Sequence, residues 1–187
     1  MQKEKQRKQK KSFRPRFKET KKRKIKDIIK KEKTNKKGIT SAQINHILTK
    51  SDNFLGCFAQ DELSSLVISS LPAYLVINFD NSYSSGNHWI AVRIDKTRLE
   101  IFDPLGFNSL RWPSIPHLLL NFLNKFSFNR RILKCKEVQP YSSTLCGFYC
   151  IFFIIYRSVH TFSDCNRYFS NVLKKNDKIL LNFFNKF

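Results

Sequence analysis

A chain of 187 residues with 41% hydrophobic content has enough apolar mass for one sizeable core, so a single globular domain with a tail is the expected organisation. The formal net charge of +21 is unevenly spread, because residues 1–37 hold 19 Lys and Arg against 4 Asp and Glu, or +15 of the total. An odd count of five cysteines behind a lysine run argues against a disulfide framework and a secretory signal, and points to free thiols in a reducing, intracellular setting. The longest apolar run, 145–156, falls short of the roughly 20 residues that cross a bilayer and reads as a core helix.

In chain order, residues 1–37 are rich in Lys and Gln, repel one another and show almost no aliphatic periodicity, which predicts a disordered basic tail. Its cluster Lys21, Lys22, Arg23 and Lys24 reads as a nuclear localisation signal or a nucleic-acid patch, with a solubilising tail as the plain alternative. The boundary falls at Lys36-Lys37-Gly38, so the domain spans 38–187. Thr40 and Ser41 are good N-cap residues for a short helix carrying Ile44, Ile47 and Leu48 and ending near Lys50. Residues 53–57 read as a loop, and 74–79 as an interior strand bounded by Pro72 and Asp80-Asn81-Ser82.

Residues 88–94 and 99–102 flank the polar connection Asp95-Lys96-Thr97-Arg98 and predict an antiparallel hairpin. A helix capped by Ser114 is expected over 114–126, a strand over 131–138, a buried helix over 146–159, and one or two amphipathic helices at the C-terminus, the last capped near Asn176 or Asp177. The class is α+β.

The hairpin fixes a register. If Asp95 and Arg98 are the last facing pair, opposed residue numbers sum to 193, which sets Asp103 opposite Ile90 and diagonal to His88. Diagonal neighbours sit about 7–8 Å apart, within reach of an imidazole and a carboxylate that lean together. Cys146 stands where the polar run Ser142-Ser143-Thr144 gives way to the apolar one, so its sulfur is expected at a helix N-terminus, where the dipole and free N–H groups favour thiolate. Cys150, one turn on, reads as core. Gly147 would let another segment approach closely. A zinc site drawn from Cys135, Cys146, Cys150 and His160 lacks a paired Cys-x2-Cys and is disfavoured.

Taken together, Phe54-Leu55-Gly56, His88-Trp89, Asp103-Pro104-Leu105-Gly106-Phe107, and Gln139 seven positions before Cys146-Gly147 form a set that resembles the adenovirus protease (adenain) family and its viral and mobile-element relatives, over roughly residues 40–160. SUMO-type proteases usually place the glutamine six positions before the cysteine and put Asp directly ahead of it; this chain has Leu145 there. Adenoviral enzymes carry Glu where this chain has Asp103. The resemblance implies a papain-like cysteine protease core, a mixed sheet with a buried helix carrying the nucleophile. It also implies roles for four residues. His88 would act as general base and acid, Asp103 would hold its tautomer, Cys146 would be the nucleophile, and Gln139 with the Cys146 backbone N–H would form the oxyanion hole.

By the same resemblance, the substrates are structural precursor proteins cut beside glycine, as in capsid maturation by a DNA virus or a Polinton-like element, in the host nucleus or the virion. No cofactor is required, and DNA is the candidate activator. Family members also take an activating peptide that pairs with the sheet edge and a cysteine, but Cys135 does not stand at the matching distance from Cys146. Two alternatives stand beside this reading. One is a ubiquitin-like-protein deconjugating protease, and the other is an inactive, basic, nucleic-acid-binding virion protein.

Overall fold

The computed structural model of the protein describes residues 27–28, 38–84, 86–107 and 115–186. Most of the basic tail, with Lys21, Lys22, Arg23 and Lys24, lies outside them; of that segment only Asp27 and Ile28 are described, in a helix, with Ile28 packed on the main core.

The sequence Thr40-Ser41-Ala42-Gln43 starts the first helix, α1 (Ser41–Leu48), with a capping box in which the Thr40 side chain accepts from the Gln43 N–H and the Gln43 side chain accepts from the Thr40 N–H. Then come β1 (Phe54–Ala59), β2 (Ala73–Asn78), β3 (Trp89–Ile94) and β4 (Arg98–Phe102). They are followed by α2 (His117–Ser127), β5 (Arg131–Lys134), α3 (Cys146–Arg157), α4 (Phe162–Tyr168) and α5 (Asn176–Lys186).

The five strands form one mixed sheet in sequence order. β2, β3 and β4 are antiparallel neighbours, while β1 and β5 run parallel to β2 and β4 at the two edges. Strand alternation divides the core. Tyr74, Val76, Trp89, Ala91 and Phe102 face α3 and the C-terminal helices, and Leu75, Ile77, Ile90, Val92, Leu99 and Ile101 face α2. α3 is apolar all round because it runs between the sheet and the C-terminal helices, with Phe153 stacked on Phe102 and Phe152 against Phe169 and Phe183.

A buried ion pair braces the far end of α3. Arg157 grips Glu100 of β4 with two hydrogen bonds of 2.8 Å each, and Arg93 adds a third contact at 3.2 Å. A fully buried carboxylate is tolerable only with such partners.

Several boundaries differ from those the sequence suggests. Residues 53–57 are not all loop. Phe54 to Cys57 enter β1, whose pairing with β2 shifts register between Phe54 and Gly56, and that irregularity hid the strand from its composition. The helix expected from Ser114 begins at His117, with Pro116 in the cap position and no side-chain cap; Ser114 lies outside the described residues. β5 stops at Lys134 because the chain then turns to donate from the Val138 and Gln139 N–H groups to the Pro104 carbonyl. α3 ends at Arg157, within the usual ambiguity of a helix end.

Candidate active site

The ends of β2, β4 and β5, the start of β3 and the start of α3 all meet at one end of the sheet, across its strand termini. That end is fixed by the hairpin. The observed β3–β4 pairs, Ala91 with Phe102, Val92 with Ile101 and Ile94 with Leu99, follow the register read from the Asp95–Arg98 connection. Asp95 Oδ1 closes the turn by accepting from the Thr97 and Arg98 N–H groups.

His88 immediately precedes β3 and Asp103 immediately follows β4, so neither is committed to one face of the sheet. They meet through a 2.7 Å hydrogen bond between His88 Nε2 and Asp103 Oδ1, both side chains being buried. The same carboxylate oxygen accepts from the Leu105 N–H at 3.0 Å, and the Gly106 N–H donates to the Asp103 carbonyl at 2.9 Å. Gly106 has φ 81°, a left-handed conformation that closes this turn cheaply only with glycine, and an added Cβ would sit 3.2 Å from Glu137 Cβ. The Cys135 thiol donates to the Asp103 carbonyl from the other side. Phe79 meets the imidazole edge-on. Together these contacts aim Nε2 at the carboxylate and leave Nδ1 as the nitrogen available to a reacting group.

Burial alone would lower the basicity of His88, but hydrogen bonds to Asp103 and Cys146, with the negative charge each can carry, outweigh it and raise the imidazole to about 9. The pair is therefore built to hold a proton on His88 at neutral pH.

Cys146 is the first residue of α3, and the first backbone bond of that helix runs from the Tyr149 N–H to the Leu145 carbonyl. The N–H groups of Cys146, Gly147 and Phe148 precede it and have no acceptor within the helix. The start of the helix thus presents donors beside the sulfur. Cys146 keeps 8% of its surface exposed while Cys150 has none. Burial pushes the Cys135 and Cys150 thiols well above their ordinary value and raises Cys57 and Cys165 to about 12, so none of those four is a thiolate at neutral pH. Cys150 instead donates to the Trp89 carbonyl within the core.

Gly147 admits a neighbour, and that neighbour belongs to the protein. A Cβ there would overlap Ile39 Cγ2 and stand 3.2 Å from both Ile44 Cδ1 and Trp89 Cδ1. Ile39 is held in place by a 3.2 Å hydrogen bond from the Trp89 indole to its carbonyl. Trp89 therefore straps the segment entering α1 across the start of α3.

Gln139 lies between the turn after Asp103 and the nucleophile helix. Its N–H donates to the Pro104 carbonyl at 2.8 Å, and its side-chain Nε2 donates to the Ser143 carbonyl at 2.7 Å. Its Oε1 is buried with no hydrogen-bond partner. One amide hydrogen remains for another acceptor.

Beside Trp89 opens a polar recess of about 340 Å³, lined by residues that include Thr40, Asn45, Glu62, Asn78 and Ser82. Asn78, Ser143, Asn176 and Asp177 all stand close to this machinery. Sequence reading did not assign any of them to the site; it marked Asn176 and Asp177 only as the cap of the last helix. Among the described residues, no group of three or more His, Cys, Asp or Glu side chains is arranged to hold a metal ion, and no helix is long and apolar enough to cross a membrane.

A family model described as adenovirus endoprotease matches residues 54–180, from β1 into α5, and so includes His88, Asp103, Gln139 and Cys146. No curated protein matches the chain.

Proposed function

The chain belongs to the adenovirus endoprotease family, a family of cysteine proteases, and on that premise we propose that Cys146, His88, Asp103 and Gln139 are the working residues of its peptidase site. The observation that carries the reading is the single constellation formed by the His88–Asp103 hydrogen bond, the contact of the imidazole with Cys146, and the position of Cys146 at a helix start.

Chemically, His88 holds at Nδ1 the proton given up by the Cys146 thiol, and the sulfur attacks the peptide carbonyl, forming the C–S bond as the carbonyl oxygen gains charge. The Cys146 N–H and the free amide hydrogen of Gln139 receive that oxyanion. The intermediate collapses, His88 gives its proton to the leaving amine, and a thioester remains. Water, deprotonated by His88, then releases the acid and restores the thiol. Asp103 keeps Nε2 engaged throughout, so the proton moves at Nδ1.

The substrates we propose are structural precursor proteins of a virus or virus-like element, cleaved at glycine-containing sites, in a nuclear or virion setting where the basic tail holds nucleic acid. The +15 balance of residues 1–37 supports the last point. A thiol-directed probe with a C-terminal glycine vinyl ester, applied to the full-length protein and to Cys146→Ala, tests the assignment. Labelling of the wild type alone is expected; equal labelling of both would overturn it.

A further inference from the structure

The loop from Val138 to Cys146 carries both Gln139 and the nucleophile, and its conformation is set from outside. Asn176 and Asp177, the first two residues of α5, hold it at two points and hold α3 at a third. The fully buried Asn176 amide donates to the Val138 carbonyl at 2.8 Å, just before Gln139. Asp177 Oδ1 accepts from the Ser143 hydroxyl at 3.0 Å and from the Tyr149 hydroxyl, one turn along α3, at 2.9 Å. Ser143 is the junction. Its carbonyl receives the Gln139 amide, its hydroxyl oxygen accepts from the Leu145 N–H at 3.2 Å, and its hydroxyl hydrogen goes to Asp177. Tyr149 remains a donor because burial and the neighbouring Asp177 charge push its phenol well above the ordinary value.

This chain of bonds has one acceptor at its root. Without the Asp177 carboxylate, Ser143 keeps only its N–H bond to the Pro140 carbonyl and the Leu145 contact to its hydroxyl, so the carbonyl that orients the Gln139 amide is held less firmly. We propose that Asp177 is a positioning residue for the oxyanion site, acting through Ser143 on Gln139. The inference rests on the reading of Gln139 as an oxyanion donor.

The test uses full-length protein, a short peptide substrate with glycine at the cleaved bond, and kcat, KM and melting temperature for Asp177→Ala, Asp177→Asn, Ser143→Ala, Gln139→Ala and the double variant Gln139→Ala/Asp177→Ala. Asp177→Ala is expected to lower kcat by about 10–100-fold with KM nearly unchanged, since small misplacement of a transition-state donor costs that much. Asp177→Asn should recover most of the loss, because its amide oxygen accepts the same two hydrogens. The double variant should be no slower than Gln139→Ala, since both changes remove one function. Ser143→Ala should repeat the kcat loss, and it carries the test if Asp177→Ala does not fold. Full kcat in folded Asp177→Ala or Ser143→Ala, beside a slow Gln139→Ala, would overturn this inference alone. So would a loss that multiplies fully with that of Gln139→Ala. Full kcat in Gln139→Ala would overturn the oxyanion reading itself, and this inference with it.

Discussion

His88 and Asp103 are 15 residues apart in the chain and joined by a 2.7 Å hydrogen bond from the imidazole Nε2 to the carboxylate Oδ1. Their meeting is a consequence of hairpin register. Each stands just outside its strand, His88 before Trp89 and Asp103 after Phe102, where the side chain can turn along the end of the sheet instead of into either core. The orientation of the ring decides the chemistry, because the carboxylate occupies Nε2 and leaves Nδ1 for the sulfur.

Cys146→Ser is expected to abolish peptide cleavage with the fold intact, whereas Cys150→Ser should leave Cys146 alkylation in place. The buried Cys150 donates only to the Trp89 carbonyl, a bond that a serine hydroxyl can also make. Intact-mass measurement after treatment with a thiol alkylator checks this. Loss of labelling in Cys150→Ser alone would reverse the assignment.

Gln139→Ala should lower kcat by about 10²–10³-fold with little change in KM, the signature of a donor used in the transition state. His88→Ala should be at least as damaging, and Asp103→Asn milder than His88→Ala, since Asp103 orients the ring and does not carry the proton. Steady-state kinetics on one peptide orders the three. A KM effect alone in Gln139→Ala would make it a substrate-binding residue.

The raised basicity of His88 makes stability depend on pH. In the unfolded chain its pKa returns to 6.5, while in the fold it is about 9. The folded state therefore binds the proton more tightly, and this contribution is complete below pH 6.5 and disappears as pH rises through 9. The melting-temperature advantage of the wild type over His88→Gln should accordingly be larger at pH 6 than at pH 9.5. A pH-independent difference would show that the imidazole is neutral in the fold.

Gly147→Ala should destabilise the protein by about 1–3 kcal/mol, because the added methyl overlaps Ile39 within a packed core. Denaturant titration measures the loss. Adding Ile39→Ala, which removes the facing Cγ2, should change the cost of Gly147→Ala, as expected for coupled neighbours. Strict additivity of the two would mean that the Ile39 strap does not lie against Gly147.

Residues 3–37 should bind DNA or RNA without sequence preference, since the segment offers many phosphate contacts and few groups that read bases. Affinity should fall steeply with salt, with a log–log slope of about −0.9 per phosphate neutralised on duplex DNA. Comparing the full chain with a form beginning at Gly38, at two salt concentrations, decides it. Equal affinity of the two would remove nucleic acid from the role of the tail.

Much of this protein was legible in its sequence because the decisive signals are local. The Asp95–Arg98 connection fixed a register that brings His88 and Asp103 to the same end of the hairpin, and the turn after Asp103 completes their meeting. The change from Ser142-Ser143-Thr144 to an apolar run marked the start of α3 and put Cys146 on it, and Thr40 and Ser41 marked the start of α1. Period and capping act within a few residues, so they leave a readable trace.

What the tertiary structure decided is what depends on groups far apart in the chain. Nothing local in Gly147 says that Ile39 will lie against it, and nothing in Phe54-Leu55-Gly56 reveals a strand whose pairing begins with a register shift. The tie from Ser143 to Asp177 spans 34 residues. It joins two ordinary polar residues whose types are common in loops and helix starts. A hydrogen bond between distant segments is set by how the intervening elements pack, and packing depends on the volume and shape of the whole core, not on the sequence pattern at either end. The sequence thus determined which residues could do the chemistry, and the fold determined what holds them at working distance.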